Sequence, residues 1–181
     1  MEILDITPPA PKEVWLRELV EGWESEFDVL DWLKKISTEI SPYFNVPEPN
    51  IFSATRVHRR RFGKFNVLYD WREKRILVHR NILKKFLENA YRVRSSYELL
   101  SGEVKSFLDA FFMHYEFYIE HARRGDRIVE EWLRETETPY HERESTIRAA
   151  KFGIEMSDRY ITHAWRYKDW YKKRVKMKIT I

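Results

Sequence analysis

The 181-residue sequence contains no cysteine, which excludes disulfide frameworks, thiolate metal sites and cysteine nucleophiles together. Any metal must then be held by His, Asp or Glu. Glutamine is absent as well, and the five glycines are isolated from one another, so glycine-rich phosphate loops and the Gly-x-Ser-x-Gly elbow of serine hydrolases are excluded. No apolar run reaches the roughly 18 residues that read as a membrane span. The stretch Met1 to Pro11 lacks the basic start and apolar centre of a signal peptide. A cytoplasmic protein with no membrane partner is the expectation.

What is present is apolar bulk and charge. Hydrophobic residues make up 43% of the chain and aromatic residues 15%, ample for a core, so native disorder is excluded. The length suits a single domain spanning 1–181. Charged residues reach 34%, which together with the missing glutamine and scarce glycine resembles chains of thermophilic organisms, rich in ion pairs and poor in thermolabile side chains. The charge is segregated. The segment Arg56 to Lys64 carries +5 and the segment Arg166 to Lys178 carries +6, leaving −7 on the rest of a chain whose total is +4.

The pattern along the chain predicts an α+β fold, mostly helical, with a small antiparallel sheet near residues 51–80. Residues 1–11 form an extended lead-in, because Pro8, Pro9 and Pro11 disfavour helix for the residues before them. From Lys12 to Ile40 apolar residues recur at helical spacing, with Ser25 a cap between two helices and Pro42 a stop. A strand is expected over Ile51 to Val57, a turn at Gly63, and a hairpin from Phe65 to Trp71 and Arg75 to His79. Asn81 is the expected cap of a helix to about Arg94. A long helix follows from about Glu103 to Arg124, stopped by Gly125-Asp126, then a short helix over Ile128 to Arg134 and a last long helix from about Glu142 to Tyr171. Residues 166–181 form a basic C-terminal tail whose end, Lys176 to Ile181, alternates like an edge strand. Tyr118 to Ala122 echoes Tyr160 to Ala164, but the flanks disagree and no repeat is assigned.

The long helix is the chemically richest stretch. His114 and His121 look like a metal pair, yet seven residues separate them by roughly 10 Å along the axis, too far to share one zinc. Leu108, Phe112, Tyr115, Ile119 and Ala122 form its most apolar face, so Tyr115 and Ile119 are expected to point inward. Glu116 and Glu120 are expected to pair with Arg123 or Arg124.

The hairpin Gly63 to Val78, the helix after it, the long aromatic helix and the Glu-rich segment Glu142 to Ala149 together resemble small zincin-type metallopeptidase domains. That resemblance spans about residues 51–159. It implies His-Glu-x-x-His on the long helix, whose two His converge on zinc while the Glu activates the bound water. Here the motif falls on Tyr115-Glu116-Phe117-Tyr118-Ile119: the general-base position is kept as Glu116, and both ligand positions are replaced, by Tyr115 and Ile119. Glu142 stands at the third-ligand position, and His114 or His141 with Glu142 would be the residues of a rescued metal site. The resemblance implies a zincin-like domain that has lost its peptidase activity and serves binding or structural ends, a pseudoenzyme with no cofactor or with weakly bound Zn. An active metal-dependent hydrolase with a non-standard site is the other outcome.

The basic segments support a different function. Arg56, Arg59, Arg60, Arg61 and Lys64, and Lys168, Lys172, Lys173 and Arg174 beside Trp170 and Tyr171, combine cations with aromatic rings, which suits phosphate neutralisation and base stacking in a nucleic-acid-binding protein. The competing reading is a solvated face, or pairing with the protein's own acidic surface. No helix-turn-helix, zinc-finger or RNA-binding-sheet signature accompanies them. Exposed Trp and Tyr on the first helices would suit a homodimer.

Overall fold

The computed structural model describes residues 12–62 and 65–162. The lead-in 1–11, the turn at Gly63, Lys64, and everything after residue 162 lie outside the described residues. The C-terminal basic set Lys168, Lys172, Lys173 and Arg174, and the second half of the 118–122 echo, fall there.

The described chain is mostly helical, with one three-stranded sheet. Helices α1 (Lys12–Glu21) and α2 (Glu26–Ile40) are separated at Ser25. The Ser25 hydroxyl accepts from the Phe27 N–H, and the Asp28 carboxylate accepts from the Ser25 N–H at 3.1 Å. Those contacts satisfy donors that the first turn leaves open. A 3-10 turn over Ser41–Phe44 follows, and Asn45 at φ 58 redirects the chain.

Strands β1 (Asn50–Ala54), β2 (Val67–Asp70) and β3 (Arg75–His79) order themselves β1-β3-β2. The hairpin β2–β3 is antiparallel, as two β-rich runs joined by a short turn predict, but β1 pairs parallel to β3, Asn50 opposite Arg75 and Ala54 opposite His79. The sheet is therefore mixed rather than antiparallel. Its central strand is buried on both faces at Ile76, Leu77 and Val78, the pattern of a covered strand. The expected strand to Val57 ends earlier. Helix α3 (Arg56–Phe62) takes over because the Thr55 carbonyl accepts from the His58 and Arg59 N–H groups, and the His58 ring accepts from the Thr55 N–H.

Helix α4 (Arg80–Arg92) starts directly from β3. Its cap is His79, whose Nδ1 accepts from the Asn81 N–H at 3.1 Å, so Asn81 is not itself the cap. Helix α5 (Tyr97–Arg124) begins six residues before the expected start, with the Ser96 hydroxyl accepting from the Leu99 N–H. Gly125 at φ 66 ends it, a conformation that glycine adopts without strain. Helix α6 (Asp126–Arg134) follows at once, and α7 (Glu144–Thr162) begins after a 3-10 turn, Tyr140–Glu142, that holds the residue expected to open it.

The core lies between α5, α2, α4 and one face of the sheet. Phe86 and Phe107 stack at 4.1 Å, and Trp32 lies parallel to both. Helices α5 and α7 approach closely at Gly153, where an added Cβ would come 2.5 Å from the Asp109 carbonyl.

Candidate functional site

The apolar face of α5 settles where the zincin-motif positions lie. Tyr115 is fully buried, and its hydroxyl bonds those of Ser41 and Ser37, the latter at 3.2 Å. Ile119 is buried in the same cluster. Both therefore point inward, and the Tyr115 hydroxyl ties α5 to α2. Glu116 is buried on α5. Glu120 pairs across to Arg148 of α7 at 3.3 Å, while Arg123 donates to the Phe44 carbonyl and Arg124 pairs with Glu131. The expected pairing of Glu120 with Arg123 or Arg124 within α5 is thus replaced by contacts between elements. His141 and Glu142 are exposed on the 3-10 turn. Among the described residues no group of three or more His, Asp and Glu side chains converges as a metal site. The motif positions present here do not form the donor set that zinc needs.

His114 and His121 share a partner: both grip Tyr69. The Tyr69 backbone N–H, on the free edge of β2, donates to His114 Nδ1 at 3.2 Å, giving an edge-strand donor a partner. The Tyr69 hydroxyl bonds His121 Nδ1 at 2.5 Å, and His121 Nε2 bonds Asp126 Oδ1 at 2.9 Å. Burial pushes His114 down to about 4, so at neutral pH its ring is uncharged and the hydrogen sits on Nε2. Burial raises Tyr69 well above the usual phenol range and pushes Tyr118 up to about 12. Neither phenol ionises near neutral pH.

The basic segment has a different setting. Strands β1 and β3 are parallel neighbours, so their carboxyl ends, Ala54 and His79, lie side by side and each feeds a helix. A cavity of about 400 Å³ opens there, lined by Thr55, Arg56, Arg59, His79, Arg80 and Asn81. The place is the crevice beyond the carboxyl ends of parallel strands, where open sheets commonly bind ligands. Arg59 donates from Nη2 to the Phe65 carbonyl at 3.1 Å, and its Nε is buried with no acceptor among the described residues. Arg80 pairs with Glu26 at 3.1 Å. Among the described residues no carboxylate lies within ion-pair distance of Arg56, Arg59, Arg60 or Arg61. His79 is held below the ordinary histidine range by burial first, then by the charges of Arg59 and His58.

Strand β1 also carries an exposed aromatic ring. Side chains alternate along strands, so Phe52 shares a face with Ala54 and, across the register, with Leu77 and His79. Phe52 is 48% exposed, and the Phe65 ring packs edge-on against His79. Phe52 is thus an exposed ring on the face of β1 that, across the register, carries His79.

The sequence named Arg56, Arg59, Arg60 and Arg61 but not Thr55, His79, Arg80 or Asn81. A strand running directly into a helix at His79-Arg80-Asn81 was the available signal. No protein-family model, curated protein or solved structure matches this chain.

Proposed function

We propose that this protein binds single-stranded nucleic acid through the arginines of α3, with a backbone phosphate seated in the cavity between the carboxyl ends of β1 and β3. One observation carries the reading. In a chain with 29 Asp and Glu residues, the four α3 arginines pair with none of the described ones, which disfavours internal charge neutralisation as their role. Arg56 and Arg59 line that cavity, and guanidinium groups bind phosphate through directed N–H donors. Phe52 supplies a ring on which an unpaired base stacks, which favours a single strand over a duplex. In this reading Tyr115, Glu116 and Ile119 serve the fold, and no peptidase chemistry is assigned to them.

The test is fluorescence anisotropy with a labelled single-stranded oligonucleotide of about 20 nucleotides at low salt. The variant Arg56→Ala/Arg60→Ala/Arg61→Ala is expected to bind about tenfold or more weakly, and Phe52→Ala about fivefold more weakly. Unchanged affinity of the triple variant contradicts the α3 arginines as the interface. Tighter binding of duplex than of single strand contradicts the stacking role of Phe52.

A further inference from the structure

We infer that the aromatic cavity between β2, α5, α6 and the start of α7 binds one six-membered heteroaromatic ring bearing carbonyl acceptors, a ring of the pyrimidine-base kind. The cavity is about 160 Å³, close to the roughly 150 Å³ that holds a benzene ring in an engineered protein core. Its walls are Leu68, Tyr69, Trp71, Phe117, Trp132 and Tyr140. Such walls suit a flat ring, through offset and edge-to-face contacts.

Polar groups on two of its lining residues choose among flat rings. The Trp132 indole Nε1 is buried and has no acceptor among the described residues, which leaves a donor unsatisfied at a cost that an incoming acceptor removes. The second is His114, whose Nδ1 is taken by the Tyr69 N–H. Its hydrogen is therefore on Nε2, which makes no hydrogen bond to a described residue, and His114 also lines the cavity. A ring with carbonyl oxygens offers acceptors to both of these lining residues, whereas a plain hydrocarbon ring offers none.

An anionic ligand is disfavoured by the rim. Arg143, the cation there, donates from Nε to the Thr138 carbonyl at 2.9 Å and from Nη2 to the Thr136 carbonyl at 3.1 Å. Its guanidinium lies 5.5 Å over the Tyr140 ring. Its role is to fold the 135–143 loop into a wall. The first turn of α7 already holds a carboxylate, because Ser145 donates from both its N–H and its hydroxyl to Glu135. A second anion would meet that charge at short range.

The site stands independently of the α3 face. The ring could arrive free or as a base within a strand, and the experiment separates these sources. Among the seven tryptophans, the indole N–H resonance of Trp132 is identified by its loss in Trp132→Phe. The full chain is then titrated with uracil, with an oligouridylate of about eight nucleotides, and with toluene. Uracil moving this resonance downfield in a saturable manner, with toluene moving it at least about tenfold less effectively, supports a free ring as the ligand. Movement with the oligouridylate alone supports a base within a strand. In either case His114→Asn, which keeps an acceptor for Tyr69 but changes the cavity donor, is expected to weaken binding about tenfold. No shift with uracil or oligouridylate, or equal binding of toluene, overturns the assignment, and neither result bears on the α3 arginines.

Discussion

Lowering the pH from 7 to 5 is expected to remove about 2 kcal/mol of folding stability through His114 alone. The folded ring is held at about 4 by burial, against an ordinary value of 6.5. Its neutral form is the one that the fold favours. In the unfolded chain the ring takes up a proton as pH falls through about 6.5, while the folded ring resists until about 4, so the unfolded state binds more protons across that window. Stability contributed by the depressed value is therefore present above about 6.5, falls as pH drops, and levels off below about 4 at a total loss near 3 kcal/mol. Other groups titrate in the same range, so the informative quantity is a difference between proteins. In His114→Asn the side-chain carbonyl still accepts from the Tyr69 N–H but carries no titrating ring. Urea unfolding of both proteins at pH 7 and pH 5, with equal denaturant slopes required for the comparison, should show the wild type losing about 2 kcal/mol more than the variant. Equal losses would refute the assignment of a buried neutral imidazole at β2. An NMR titration of His114 near its ordinary value would refute it independently.

Three further substitutions probe the frame that holds these sites. Gly153→Ala drives a Cβ to 2.5 Å from the Asp109 carbonyl and 3.0 Å from the Met113 amide, and should cost about 1 to 3 kcal/mol by forcing α5 and α7 apart. Gly102→Ala, in the same α5 with nothing within 4 Å, should instead stabilise by about 0.5 to 1 kcal/mol. Thermal or urea unfolding reads both, and effects of the same sign would contradict the close-approach argument. Tyr115→Phe removes the hydroxyl that joins buried Ser37 and Ser41 and should cost about 1 to 3 kcal/mol. A neutral result would mean that this hydroxyl does not fasten α5 to α2.

Local signals made much of the fold legible. Ser25 between two helical patterns announced a cap, and the β-rich runs Phe65 to Trp71 and Arg75 to His79, separated by Arg72-Glu73-Lys74, announced the hairpin. Segments whose propensity and tertiary role disagree were not legible. Val57 reads as strand by its branched side chain, yet Thr55 and His58 turn the chain into α3. Gly102 and Ser101 masked the first turns of α5, since both residues favour other conformations locally. The parallel pairing of β1 with β3 leaves no mark in either strand, because its partners are 25 positions apart, as Asn50 and Arg75 are.

The sites divide in the same way. The α3 arginines were visible as a run of charge, but only the parallel pairing brings them beside His79, Arg80 and Asn81. Trp71, Trp132 and Tyr140 come from three segments and read singly as unremarkable aromatics. His114 and His121 stood out as a pair too far apart for one zinc, and the structure adds what their spacing does: residues seven apart on α5 share a helix face, and that face meets Tyr69.

The salt dependence of single-strand binding bears most directly on the account, because it counts the phosphates that the protein neutralises. Contact through Arg56, Arg59, Arg60 and Arg61 predicts that the logarithm of the binding constant falls against the logarithm of salt concentration with a slope of about −3. Arg56→Ala/Arg60→Ala/Arg61→Ala should bring that slope to about −1. A slope near zero in the wild type, or a steep slope that the triple variant leaves unchanged, would contradict the claim that α3 is the phosphate-binding face.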